Sequence, residues 1–358
     1  MSPYRLFNQG RLLSDNIRYR NLLSGNIGIL SSRIVVGTAI EPYLNAWAWD
    51  DTYGFGTKAS NPSSGVAGKV YGIAQNSNTI FIARESSPHI NAYSWAGGFG
   101  SKYSNPATLP IGLIAYSVTY NSVFPSVAIS QSSTPYVAAY PWSNSTGFGT
   151  RYSDPSILPT GPARYVKFNN AGNVIGVANE LTTPFISFYA WSSGFGTRFS
   201  NPVSLPEAIQ YDAGIGFSPS DNAVVVATGN FTSPYVAAYP WSNSTGFGTR
   251  YSAPATLPGY ITSDVSFSPN GNYLAITSSQ SGLNIYNWSS GFGTKIANAA
   301  THYNDANEVG FNSNGSTVGV AILRTPFIAV YPWTTGFGTK FANPQFGPGG
   351  EAETISFN

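Results

Sequence analysis

Between residues 259 and 300, hydrophobic and polar positions alternate in short runs broken by turn residues. Val265-Ser266-Phe267 alternates and enters Ser268-Pro269-Asn270-Gly271, a hairpin turn built from Pro and from an Asn-Gly pair that tolerates positive φ. Tyr273 to Thr277 predicts a second strand and Leu283 to Trp288 a third. After Ser289 and Ser290, Gly291 to Ile296 predicts a fourth. No helical period competes with this pattern, so the chain belongs to the all-β class.

The four-strand unit repeats. Gly-Phe-Gly occurs seven times, with its phenylalanine at Phe55, Phe99, Phe148, Phe195, Phe247, Phe292 and Phe337; first to last is 282 residues in six intervals, or 47 each. That period fits one four-stranded blade of a β-propeller and predicts seven blades over residues 33–358. The first repeat has strands at Arg33 to Ala39 and Tyr43 to Trp49, but no inner strand just before them. Residues 353–358 repeat the inner-strand pattern at the other end of the chain, so they are expected to complete the first blade and close the ring by ladder hydrogen bonds.

A Trp ends every third strand (Trp49, Trp95, Trp142, Trp191, Trp241, Trp288 and Trp333), and two residues earlier stands Trp47, Tyr93, Tyr140, Tyr189, Tyr239, Tyr286 or Tyr331. Residues two apart share a strand face, so each blade presents an aromatic pair beside its Gly-Phe-Gly phenylalanine. One blade cannot cover that surface, and these rings are expected to form the core between blades. With the Val-x-Phe-Ser-Pro-Asn-Gly segment at 265–271, they make residues 33–358 similar to the WD40-like β-propeller superfamily. The Gly-His dipeptide and the Asp/His network of standard WD40 repeats are missing. The longer repeat, from Tyr-x-Trp to Gly-Phe-Gly-Thr-(Lys/Arg)-Tyr-Ser-Asn-Pro, resembles uncharacterised propeller proteins of tailed phages and aquatic metagenomes.

Charge changes the picture by its scarcity. Only 9% of the 358 residues are charged, against roughly 25% in an ordinary domain, and the net charge is +2. A general nucleic-acid or membrane-surface binder needs more, and no segment approaches eighteen continuous apolar residues. The chain has no Cys and two His, which removes thiol and zinc-thiolate chemistry and leaves little for a triad. No cofactor, metal or catalytic residue is expected.

Seven basic residues, Lys58, Lys102, Arg151, Arg198, Arg250, Lys295 and Lys340, stand three after the repeated Phe. On an outer edge strand, followed in six repeats by Pro, they discourage pairing with another sheet. The sharper alternative is a positive rim facing anionic glycans or an acidic partner, joined by aromatics near the inner strands at Tyr116, Tyr165, Tyr211, Tyr260 and Tyr303. Asp264, Glu308 and Glu353 come from adjacent blades and gather near one mouth of the channel; without calcium-loop spacing, and with Arg164 as counter-charge, they are not expected to bind a metal or act as acid and base.

Residues 1–32 do not repeat. Arg5, Arg11, Arg18 and Arg20 against Asp15 give +3, whereas residues 33–358 carry 13 basic and 14 acidic groups. So apolar an arm either folds back on the propeller or docks into another subunit; the docking reading makes Arg5, Phe7, Arg11, Leu12, Leu13, Arg18, Tyr19 and Arg20 the contacts to other subunits of a larger assembly. The resemblance to phage propellers makes that assembly a virion, made in the host cytoplasm without a signal peptide, and the expected function a non-enzymatic tail or capsid component. The alternative expectation is a carbohydrate-binding propeller for host-surface glycans.

Overall fold

The computed structural model describes residues 32–358, so the arm contacts from Arg5 to Arg20 lie outside the described residues. Seven antiparallel sheets follow one another around a ring. The inner strands of blades 2 to 7 are Val70–Asn76, Ala115–Asn121, Ala163–Phe168, Gly214–Phe217, Thr262–Phe267 and Ala306–Phe311. Blade 1 takes its inner strand from the far end of the chain. Ala352–Phe357 pairs antiparallel with Arg33–Thr38, with Ile34 opposite Phe357 and Val36 opposite Ile355. Consecutive inner strands touch all the way round, including blade 7 to blade 1 and blade 1 to blade 2. The ring is closed by strand pairing, as the repeat pattern requires.

The core consists of seven layers, each between two neighbouring blades. Trp241 is representative: it packs edge-on against Phe247 of its own blade at 4.9 Å and Phe199 of blade 4 at 5.1 Å, and is buried. The aromatic two residues earlier has a second duty. In six blades its hydroxyl donates to a carbonyl of the loop entering the same blade: Tyr93 to Gly65, Tyr140 to Thr108, Tyr189 to Ile157, Tyr239 to Ser204, Tyr286 to Thr256 and Tyr331 to Thr301, all within 2.7–3.1 Å. In blade 1 the indole of Trp47 donates to Phe346 O at 3.1 Å in the same way. A buried hydroxyl needs a partner, and these loops have carbonyls to satisfy, so one contact answers both requirements.

In five of the seven repeats, at Gly54, Gly147, Gly194, Gly246 and Gly291, the first glycine of Gly-Phe-Gly has a positive φ and faces a ring of the preceding blade. Gly54 has φ +85° and Gly147 φ +81°, and a Cβ at either would meet the ring of Phe341 or Tyr103 from the preceding blade at 3.0 and 3.3 Å. The residue between Tyr and Trp sets the length of the outer strand. Where it is Ala, Ser or Asn (blades 1, 2, 4 and 6), the outer strand has four or five residues; where it is Pro141 or Pro240 it has two, and beside Pro332 only the Trp333–Phe337 bridge remains. Proline has no N–H to give the ladder.

Candidate functional site in the central channel

In six blades the inner strand carries a β-bulge immediately after its first paired residue. The register shifts fall between Val70 and Gly72, Ala115 and Val118, Ala163 and Tyr165, Thr262 and Val265, Ala306 and Val309, and Ala352 and Thr354. A bulge holds extra residues that no partner opposes and re-aims their side chains. The bulged residues are Tyr71, Tyr116 with Ser117, Arg164, Ser263 with Asp264, Asn307 with Glu308, and Glu353. All line one cavity of about 620 Å³ in the channel. They form a belt at one level, since each follows the first rung of its own ladder.

Consecutive members of the belt touch. Lys69 Nζ stands 2.8 Å from Glu353 Oε1 and 4.7 Å over the ring of Tyr71. Tyr71 meets Tyr116 edge-on at 5.5 Å, and the Arg164 guanidinium lies over Tyr116 at 4.2 Å. Arg164 also donates from Nε to Glu180 Oε2 at 2.8 Å, with Nη2 at 2.7 Å from the same oxygen. On the other side of Glu353, Asn307 Nδ2 donates to its backbone carbonyl at 2.8 Å. The Lys69–Glu353 pair is close but poorly aligned, so Oε1 gains charge compensation without a directed hydrogen bond. Burial raises the Glu353 carboxyl above its ordinary value, and Lys69 opposes that shift only in part.

The acidic members crowd together. The buried Asp264 carboxylate accepts from Val309 N at 3.2 Å through Oδ2, and the Tyr165 hydroxyl and the Val265 amide also donate to this carboxylate. Burial pushes the Asp264 carboxyl up to about 6. Burial, then the charge of Asp264, raises Glu308 well above the usual carboxylate range. Asp212 is exposed to the channel, yet the protein crowding round it raises its carboxyl too, against the pull of Arg164 and Lys69.

The structure brings Asp264, Glu308 and Glu353 into one cavity, and Arg164 pairs with Glu180 rather than with these three. Tyr116 and Tyr165 line the same cavity. Tyr211 and Tyr260 instead flank Phe231 in a partly exposed aromatic row, at 5.8 and 5.4 Å, and Tyr303 packs in the layer between blades 6 and 7. The repeated basic residues lie back along their own outer strands or loops. Lys58 donates to Gly347 O, Arg151 pairs with Asp154, Arg198 donates to Asn201, Arg250 binds Glu207 and Leu205 O, and Lys340 donates to Asn343 and Phe341 O. Lys102 and Lys295 sit opposite Tyr93 and Tyr286 in the ladder.

Lys69, Tyr71 and Asp212 escape a reading of the repeats. The signal that marks most of the belt is a small residue opening each inner strand followed by a polar or aromatic one, as in Ala352-Glu353, Val70-Tyr71, Ala115-Tyr116, Ala163-Arg164 and Ala306-Asn307. Among the described residues no group of three or more His, Asp or Glu could hold a metal ion, and no helix is long and apolar enough to cross a membrane.

No family model matches the chain, and no curated protein is similar to it in sequence. Solved structures share its fold. The Pseudomonas aeruginosa periplasmic gluconolactonase is 12% identical with a TM-score of 0.68, over 91% of this chain and 98% of that one. A Bacteroides fragilis protein assigned by name as a 6-phosphogluconolactonase is also 12% identical, with a TM-score of 0.67 over the same shares. A computationally designed protein, Ika8, is 13% identical with a TM-score of 0.58, over 86% of this chain and 82% of that one. The expectation of a non-enzymatic virion component is corrected by these names, which are those of lactone hydrolases, and the phage and glycan-binding terms find no support among them. The belt brings together carboxylates and cations that lie far apart in the sequence. At this level of identity the likeness establishes the fold, a closed seven-bladed β-propeller.

Proposed function

We propose that the chain is a hydrolase of small cyclic esters, with the bulge belt as its active site. The observation that carries this reading is Glu353, a buried carboxylate of raised pKa that faces an open cavity with Lys69 at 2.8 Å. A carboxylate so placed suits proton transfer near neutral pH. Glu353 takes a proton from water as the water oxygen attacks the ester carbonyl carbon. The negative charge that develops on the carbonyl oxygen is met by the Lys69 ammonium or the Arg164 guanidinium. The ring C–O bond then breaks, and the departing alkoxide recovers the proton from Glu353, leaving the open hydroxy acid. Tyr71 and Tyr116 supply flat walls for a ring-shaped substrate. The lactonase names of the similar propellers point to the same substrate class.

The test is hydrolysis of glucono-δ-lactone followed by base uptake at constant pH, corrected for the spontaneous reaction. The intact chain should exceed the spontaneous rate, and Glu353→Gln should lower the enzymatic rate by about 10²–10⁴-fold. An intact chain no faster than buffer, or a Glu353→Gln variant as fast as the parent, would overturn the assignment.

A further inference from the structure

Three exposed rings form a row beside one mouth of the channel. Tyr211, Phe231 and Tyr260 are 49, 57 and 36% exposed, and Phe231 meets Tyr211 at 5.8 Å and Tyr260 at 5.4 Å. They come from three segments: the loops that enter the inner strands of blades 5 and 6, and the loop between the second and third strands of blade 5. Backbone bonds tie all three together. Tyr211 N donates to Gly229 O at 3.2 Å, Gly229 N to Thr262 O at 3.0 Å and Ile261 N to Asn230 O at 2.9 Å. The side chain of buried Asn230 holds the turn, donating from Nδ2 to Ala208 O and accepting at Oδ1 from Thr232 N at 2.9 Å, while Phe231 is left facing solvent. Adjacent apolar rings that a well-bonded backbone keeps exposed mark a place for something outside the fold.

The row continues the cavity. Tyr211 precedes Asp212, which lines the cavity and stands close enough for its charge to act on Glu353. Gly229, with φ +53°, packs on the backbone of Asp212 so closely that a Cβ would clash. The same loop position rims the cavity elsewhere: Phe231 stands three residues before Pro234, and Leu323, three before Pro326 in blade 7, lines the cavity. Of the six loops with this proline only that of blade 5 has an aromatic there, the others having Ala39, Glu85, Ser132, Leu181 and Leu323. The row is small. Three rings about half exposed offer on the order of 300 Å², against about 800 Å² per partner in a stable protein interface. It is also ridged, with Tyr211 at 82° and Tyr260 at 43° to Phe231, so no two rings make a flat platform for a sugar ring to stack on. A flexible apolar chain follows such a surface and loses water along it.

We infer that the row holds an alkyl substituent of the substrate, so that the site takes a lactone ring carrying an apolar chain in preference to a bare ring or a glycosylated one. The lactone rests on the hydrolase reading, and the chain rests on the row alone. With the ester carbonyl at Glu353, the chain leaves the cavity past the backbone of Asp212 and lies across Tyr211, Phe231 and Tyr260.

Two measurements on the full chain test this. Steady-state hydrolysis compares δ-decalactone with δ-valerolactone, which differ by a pentyl chain, and lactobiono-δ-lactone with glucono-δ-lactone, which differ by a sugar. The pentyl chain should raise kcat/KM at least about tenfold, and the sugar should not raise it. Calorimetry compares δ-valerolactam with its pentyl derivative, rings that keep the shape without the ester, and the pentyl lactam should bind at least about tenfold tighter. Phe231→Ser should cut both pentyl preferences to about threefold or less, while Val203→Ser, which changes an exposed apolar residue of the same entry loop as Tyr211 but outside the row, should leave them in place. No gain from the pentyl chain in either measurement, preferences untouched by Phe231→Ser, or a gain from the sugar as large as that from the chain would overturn the inference. Lactone turnover without a chain preference sinks this inference alone, and tighter binding of the pentyl lactam without lactone turnover sinks the hydrolase reading alone.

Discussion

The third strands and the inner strands of this ring are built on opposite plans. The third strand of every blade ends in an aromatic, one spacer and Trp, and six of the seven aromatics are the same residue making the same hydroxyl contact. The inner strands share a bulge in six blades, but what stands in it is Glu353, Tyr71, Tyr116, Arg164, Asp264 or Glu308, a different side chain nearly every time. Repetition suits the layers between blades, because each layer poses the same packing problem. A ligand that lies on the channel axis presents a different group to each blade, so the wall that meets it cannot repeat. The shared bulge is the scaffold, and departure from the repeat marks the chemistry.

The comparison would break most severely at the one inner strand whose partners are at the other end of the chain. Deleting residues 353–358 removes the ladder to Arg33–Thr38 and the contacts to the inner strands of blades 2 and 7. It also removes Ile355 and Phe357 from the layer between blades 7 and 1. The truncated chain should be insoluble, or melt far below the intact protein, by far the largest effect expected of any change discussed here. Thermal unfolding followed by circular dichroism measures it, and a truncated chain melting within a degree or two of the parent would show that the ring does not depend on this closure.

That strand also shows what could be read from the sequence. Gly-Phe-Gly, the terminal Trp and the inner-strand pattern at 353–358 each report a local requirement: a positive φ beneath a ring, an aromatic layer, a ladder with a missing member. Local requirements leave local patterns, so blade number and closure were legible. The belt was not. Its bulges are decided by pairing between strands, and the Lys69–Glu353 pair spans 284 residues that only ring closure brings together. Asp264, Glu308 and Glu353 could be assigned to the channel from their repeat position, but not Lys69 or Asp212, which precede the first rung in segments where the repeat is least regular. Nor could a carboxylate be recognised as a proton-transfer group while its burial and its counter-charge were unknown.

A middle-sized effect is expected within the repeated plan. Trp241→Ala removes a buried indole that packs against Phe188, Phe199, Phe217 and Phe247. Core Trp truncations cost about 3–5 kcal/mol. By contrast Tyr116→Ala, in the channel wall, leaves no sealed cavity and should cost well under half as much, read from denaturant midpoints at constant m-value. Equal losses at the two positions would mean that the channel wall is as tightly packed as the layers, and that its variety serves packing.

The smallest effect is a gain. A carboxyl whose folded value, about 6, lies above its ordinary 3.8 binds a proton in the folded protein that the unfolded chain has already released. Ionising Asp264 is therefore a cost to the folded state, absent below pH 4, growing through the window from 4 to 6, and level above it. The groups that bear on it are Tyr165 and Lys167 from blade 4, Glu308 from blade 7 and the Val309 and Val265 amides, and of these all but Glu308 favour the charge. Asp264→Asn keeps the shape and removes the charge. The variant should match the parent near pH 4 and be more stable at pH 7, by at most about 3 kcal/mol for a shift of about two units, seen as melting curves that diverge between those values. Parallel pH profiles, or a variant less stable at every pH, would show that Asp264 is held by contacts worth more than its burial costs, and the channel would then differ from the layers in sequence but not in strain.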